Sequence, residues 1–197
     1  MEINFKRIIK VIFVYLLLCT VLYLCIYKKS ESHYDFDVSN NLQQMIEKSD
    51  TVVLGTVQEN TGTWNMSRDL DDVSKDSEIY YTEGRLSLFQ IDEVLKGTVT
   101  ENRIMLTQRY SDNYSGTSKK DPLYVPLETG SSYILFLKYN EQFNLYYGTT
   151  EPYILSYQDG RLSILTRLTE IVKDYEIPII PKSLDEIKRI CENEGHD

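Results

Sequence analysis

Histidine is nearly missing from this chain: the 197 residues hold two, His33 and His196. The first lies in a polar stretch close to an apolar run, and the second is the penultimate residue. Neither is placed to be held rigidly beside a nucleophile, which excludes Ser-His-Asp and Cys-His arrangements inside the fold. Cysteine is scarce as well. Of three, Cys19 and Cys25 fall in the apolar run and Cys191 stands alone beyond it. A lone cysteine forms no internal disulfide, and without paired histidines it cannot complete a tetrahedral zinc set. Burial on a helix face is its expected fate. Glycine is thinly spread, and Gly55, Gly62 and Gly84 stand too far apart to form a phosphate-cradling loop. No cofactor and no metal are expected.

Positive charge is also in deficit, with 21 basic against 30 acidic residues and a formal net charge of −9. Five of the basic residues and one of the acidic lie in positions 1–29, so the remainder carries 16 against 29, a net charge of −13. Nucleic acid and anionic headgroups both need a basic footprint, so neither is an expected partner.

What the chain does have is one long apolar run. Ile8 to Tyr27 is 20 residues with Lys10 as its only charge. At the helical rise of about 1.5 Å per residue it matches a hydrocarbon core of roughly 30 Å. The run ends Tyr23-Leu-Cys-Ile-Tyr27 without the small-residue pattern of a cleavage site. It therefore predicts an uncleaved signal anchor: a cytoplasmic head at 1–7, a transmembrane helix at 8–27, a polar stalk at 28–38 and an extracytoplasmic domain at 39–197. Three basic residues, Lys6, Arg7 and Lys10, lie at the start and two, Lys28 and Lys29, follow the run. With so short a head, they place the N-terminus inside and the domain outside a cell membrane.

The outer part reads as mostly β. Ser39 is a candidate cap for a short helix with Leu42, Met45 and Ile46 at three-four spacing. Thr51-Val-Val-Leu-Gly-Thr-Val57 has the composition of a strand buried on both faces, with Gly55 a bulge or close approach. Residues 58–77 are polar and read as a long loop. Ile79 to Leu95 gives a long strand with a bend near Phe89-Gln90. Arg103–Arg109, Ser132–Lys138 and Asn144–Gly148 follow as strands, and Tyr153–Tyr157 pairs with Arg161–Leu165 across Gln-Asp-Gly. A helical extension is expected over about 166–195, with Ser183-Leu-Asp-Glu186 as a capping box and Ile187, Ile190 and Cys191 as the buried face. Six or seven strands without intervening helices predict a small antiparallel barrel or sandwich.

Candidate sites are few. The acidic run Asp69, Asp71, Asp72, Asp76 and Glu78 invites calcium, but Ser74 takes the position that needs glycine and no glutamate closes the loop. Glu83, Asp92 and Glu93 are carboxylates available to acid-base chemistry, with nothing in their spacing to pair them. Asn65-Met-Ser67 and Asn113-Tyr-Ser115 match the glycosylation triplet. Tyrosine is the distinctive residue, with 16 in all and 13 beyond residue 29. Tyr110, Tyr114 and Tyr124 gather around one loop and form the candidate binding surface, since tyrosine joins rigid apolar area to a hydrogen-bonding tip.

Three segments taken in order, Ser49-Asp-Thr-Val-Val-Leu-Gly-Thr-Val57, Ile91-Asp-Glu-Val-Leu-Lys-Gly97 and Thr129-Gly-Ser-Ser-Tyr-Ile-Leu-Phe-Leu137, resemble a recurrent pattern. It is similar to that of uncharacterised bacterial membrane-anchored or secreted proteins whose core is of the netrin and tissue-metalloproteinase-inhibitor type, an OB-fold barrel. The resemblance covers residues 49 to about 165 and implies a fold more than a function. Such inhibitors act through a free N-terminal cysteine, and no cysteine outside the apolar run precedes Ser49, so that mechanism is not implied. The expectation is a membrane-tethered interaction or sensor domain without enzymatic activity, whose partner is another envelope or surface protein. A carboxylate-dependent envelope enzyme and a structural or immunity-type envelope protein are the alternatives.

Overall fold

The computed structural model describes residues 15, 16, 19, 20, 36–114, 117–172, 176 and 181–194. The expected head, most of the expected membrane span and most of the stalk lie outside the described residues. Among the described residues no helix is long and apolar enough to cross a membrane. The chain divides into two units, Met1–Asp35 and Phe36–Asp197.

The second unit opens with helix α1, Leu42–Glu47. Its cap is Asn41, whose side chain accepts from the Gln44 amide at 2.8 Å. Ser39, the expected cap, is instead buried, its hydroxyl 2.8 Å from that of Thr150. A hydroxyl drawn into the interior bonds a distant partner, and the next capping residue along takes over the helix end.

Among the described residues eight strands follow: β1 Thr51–Asn65, β2 Tyr81–Lys96, β3 Arg103–Tyr114, β4 Thr117–Lys120, β5 Ser132–Asn140, β6 Leu145–Gly148, β7 Ile154–Gln158 and β8 Arg161–Leu165. Two helices close the unit, the single turn α2 at Leu168–Ile171 and α3 at Leu184–Glu194. The polar stretch expected as a loop from residue 58 is strand as far as Asn65, paired with β2 down to Asn65–Glu83. Most of its side chains there face solvent, so polarity hid a ladder held by the partner strand.

The pairings run β1-β2-β3-β6-β5, and β5 also pairs with β1, so five strands close a ring. The sequence predicted antiparallel strands throughout, and β3 with β6 is the exception, being parallel. An odd number of strands cannot alternate direction around a closed ring, so one parallel pair is a consequence of closure by five. β4 extends β3, while β7 and β8 form the expected hairpin and attach to β5 outside the ring.

Period-two alternation in β1 and β5 feeds two apolar layers. Val53, Val57, Tyr133, Leu135 and Leu137 pack with Phe89, Ile104 and Leu106 in one. Val52, Leu54, Ile134 and Phe136 pack in the other, beneath Met45 and Ile46 of α1 and Ile187 and Cys191 of α3. These central strands are therefore apolar on both faces, as their unbroken sequence runs require. Gly55 sits where β1 shifts register against β2, and the close approach expected there is real. The bend expected near Phe89-Gln90 falls just beyond it, where Gly55 faces Ile91 and Leu54 faces Glu93 so that Asp92 is the extra residue.

Candidate functional site

Where β1 starts and β5 ends, the ring has an open groove of about 1190 Å³. The turn between β2 and β3 forms one wall. Gly97 allows it by a φ of +81°, and a Cβ there would stand 2.2 Å from the Asp50 carbonyl oxygen, so only glycine lets this turn lie against the entry to β1. The opposite wall is the turn between β5 and β6, closed by Asn144 at a φ of +52°. The Tyr139 hydroxyl donates to Asn144 Oδ1 at 2.9 Å, which fixes both. Between the walls, β3 pairs with β6 only at Leu106 and Thr107, and the three residues before them, Arg103–Met105, line the groove.

The groove is aromatic and polar together. Tyr139 and Tyr146 are ring partners, 4.8 Å between centroids and inclined by 39°. Burial, and behind it the nearby Tyr139 and Glu101, raise the Tyr146 phenol above its usual value, so it stays a neutral hydroxyl. Tyr147 adds a third ring to the lining. Asn140, Asn144 and Arg103 supply amide and guanidinium donors, and Asp50, Glu101 and Glu141 make the rim acidic. Such a surface can stack against an apolar face and hydrogen-bond hydroxyls, while repelling anions.

Two of the tyrosines singled out from sequence, Tyr110 and Tyr124, lie elsewhere. Tyr110 and Tyr124 do meet, edge to face at 4.9 Å. Their faces are already covered by the protein's own cations: the Arg85 guanidinium stands 3.8 Å from the Tyr110 centroid, and Lys120 Nζ 5.3 Å from both rings. Tyr114 ends β3 opposite Thr117, and its side chain is not among those described. Neither Tyr110 nor Tyr124 lines the groove. The groove residues do carry a sequence signal, a polar Asn140–Asn144 turn flanked by Tyr139 and by Tyr146-Tyr147.

Each carboxylate candidate has a partner. The Ser111 hydroxyl donates to Glu83 at 3.3 Å, Thr56 to Asp92 at 3.4 Å, and Lys188 pairs with Glu93 at 2.7 Å. In the acidic run, Asp69 accepts from the amides of Asp71 and Asp72, and Asp76 pairs with Arg68. The Ser74 hydroxyl and Lys75 bond to Asp72 and hold its carboxyl below the usual value. Among the described residues no three acid, histidine or cysteine side chains are grouped to hold a metal. Asn65 is buried, its amide nitrogen donating to the carbonyls of Ser77 and Tyr80 at 3.5 and 3.4 Å, so it is spent on structure.

One carboxylate went unmarked in the sequence. Burial, and then the charge of Asp121, push Glu151 up to about 8. Asp121 is itself raised by burial, with Arg109 3.7 Å away opposing the shift. Beside them Tyr153 is raised far above the usual phenol by burial, its hydroxyl accepting from Gln108 Nε2 at 2.7 Å. Neither Glu151 nor Asp121 lines the groove.

Comparison of the sequence with models of protein families gave no match, and neither did comparison with curated proteins. Fold and groove alone define the class, a mostly β domain built around a ring of five strands with an aromatic groove at one end.

Proposed function

We propose that this chain is a membrane-tethered, non-enzymatic binding module on the outer face of a cell membrane, and that its groove takes an uncharged, hydroxyl-rich ligand such as an oligosaccharide strand. The observation that carries the reading is the groove lining, where Tyr139, Tyr146 and Tyr147 stand among Asn140, Asn144 and Arg103 under an acidic rim. Tyrosine faces suit the C–H faces of pyranose rings, and amides suit their hydroxyls. Glu101 and Glu141 oppose phosphate-bearing ligands, in keeping with the net charge of −9.

The strand order supports an OB-like barrel, since a five-stranded ring closed by one parallel pair is what that architecture would give, and barrels of this type bind oligosaccharides between their strands and loops. Kinship with the netrin and metalloproteinase-inhibitor type belongs to the same proposal. The tether rests on the Ile8–Tyr27 run. The two carboxylates whose protonated form burial favours, Glu151 and Asp121, lie away from the groove.

Trp64 is the sole tryptophan, and its ring lies 5.3 Å from that of Phe143 in the β5–β6 turn, so its emission reports on the groove wall. Full-length protein in lipid nanodiscs should show a saturable emission change with short neutral β-linked oligosaccharides. The change should vanish in Tyr139→Ala and Tyr147→Ala and persist in Tyr110→Ala. No saturable change across such a panel, or binding indifferent to the first two variants, would sink the reading.

A further inference from the structure

The segment joining β1 to β2, residues 66–80, is ordered by its own bonds. Arg68 and Asp76 bridge its two arms, and the amides of Ser77 and Asp69 donate to the carbonyls of Ser67 and Lys75, both at 3.0 Å. The segment is clamped to the domain at two points. The Arg68 guanidinium lies over the rings of both Trp64 and Phe143, 4.8 and 4.7 Å from their centroids, and Gln142 Nε2 donates to the Val73 carbonyl at 3.0 Å.

On this fixed frame large apolar side chains face water: Leu70 is 92% exposed, Val73 58% and Ile79 79%. Scattered apolar residues on a surface need no explanation, but three on one pre-ordered projection mark a contact site. Docking them costs little further ordering, because the backbone beneath is already held. The surround is acidic. Lys75 offsets Asp72 and Arg68 offsets Asp76, whereas no cation among the described residues pairs with Asp71 or Glu78. Anionic headgroups would be repelled by that surround, and a second copy of the chain would bring acid against acid.

We propose that the tip carrying Leu70 and Val73, with Ile79 at its base, docks a protein partner that presents an apolar cleft rimmed by lysine or arginine. Apolar burial would supply the affinity and the charge pattern the choice of partner. This proposal stands on different residues from the groove and does not depend on what the groove binds.

The test puts a photo-reactive residue in place of Leu70 in the full-length chain in living cells, with Asp159 in the β7–β8 turn replaced likewise as the control. Irradiation is followed by sequencing of the cross-linked peptide. The expected result is one protein adduct from position 70 and none from 159. The linked peptide should be net basic, and the adduct at least tenfold weaker after Asp71→Lys with Glu78→Lys. An adduct to lipid, an adduct to a second copy, one indifferent to charge reversal, or none beyond the control would each overturn the proposal.

Discussion

The backbone of Gly55 runs so close to Gln90 that a Cβ at position 55 would stand 2.1 Å from the Gln90 carbonyl oxygen and 2.6 Å from the Phe89 ring. The obstacle is mostly backbone, which cannot swing aside. Gly55→Ala should therefore cost about 1–3 kcal/mol or more, the range for overpacking a filled core. The denaturant midpoint of the variant would fall accordingly.

Glu151 gives stability a pH dependence with a definite sign. Its folded value of about 8 lies above the ordinary 4.5, so between the two the folded chain keeps a proton that the unfolded chain has released. Stability from this group is fully present below about 4.5 and is lost as pH rises through about 8. Glu151→Gln keeps the shape and removes the titration. Thermal unfolding should show the variant gaining on the parent between pH 5 and pH 9, and parallel curves would contradict the assignment.

Arg68→Ala should free the β1–β2 segment without unfolding the ring. A guanidinium over aromatic rings is worth about 1–2 kcal/mol when partly desolvated. Trypsin should then cut after Lys75 much faster than in the parent, while the unfolding midpoint shifts only modestly.

Cys191 is 4% exposed, and burial pushes its thiol up to about 11. With Cys19 and Cys25 replaced by serine, alkylation at pH 8 should be slow in the native protein and fast in denaturant. Rapid native labelling would mean that α3 opens readily from the domain.

The Ile8–Tyr27 run makes a topological prediction. Protease added to intact cells stripped of their wall should digest residues 36–197 and leave a small membrane-bound stub. Full protection of the chain would reverse the orientation.

The sequence was most readable where burial was deepest. Val52–Val57 and Tyr133–Leu137 are apolar on alternate faces because both faces are covered, and such runs admit few other readings. Residues 58–65 misled because a ladder to β2 holds them extended with polar side chains in water, and pairing leaves no trace in composition. The parallel contact of β3 with β6 was equally hidden, being decided by ring closure rather than by either strand. Tyrosine density in the sequence points to residues 110–124 as the candidate surface. Tyr110 and Tyr124 turned out to be covered by Arg85 and Lys120, while a turn two strands later brought Tyr139 and Tyr146 together.

The chain enters the domain along residues 37–39, which are stitched to Thr150 and Glu151. The Ser39 amide donates to Glu151 at 2.9 Å, the Glu151 amide to Asp37 at 2.8 Å, and Lys48 grips the Asp37 carboxylate at 2.8 Å. A pull arriving from the N-terminal side would load this short seam before it reached any strand of the ring. Its two backbone hydrogen bonds and one ion pair would bear that load ahead of the ladders that hold the ring together.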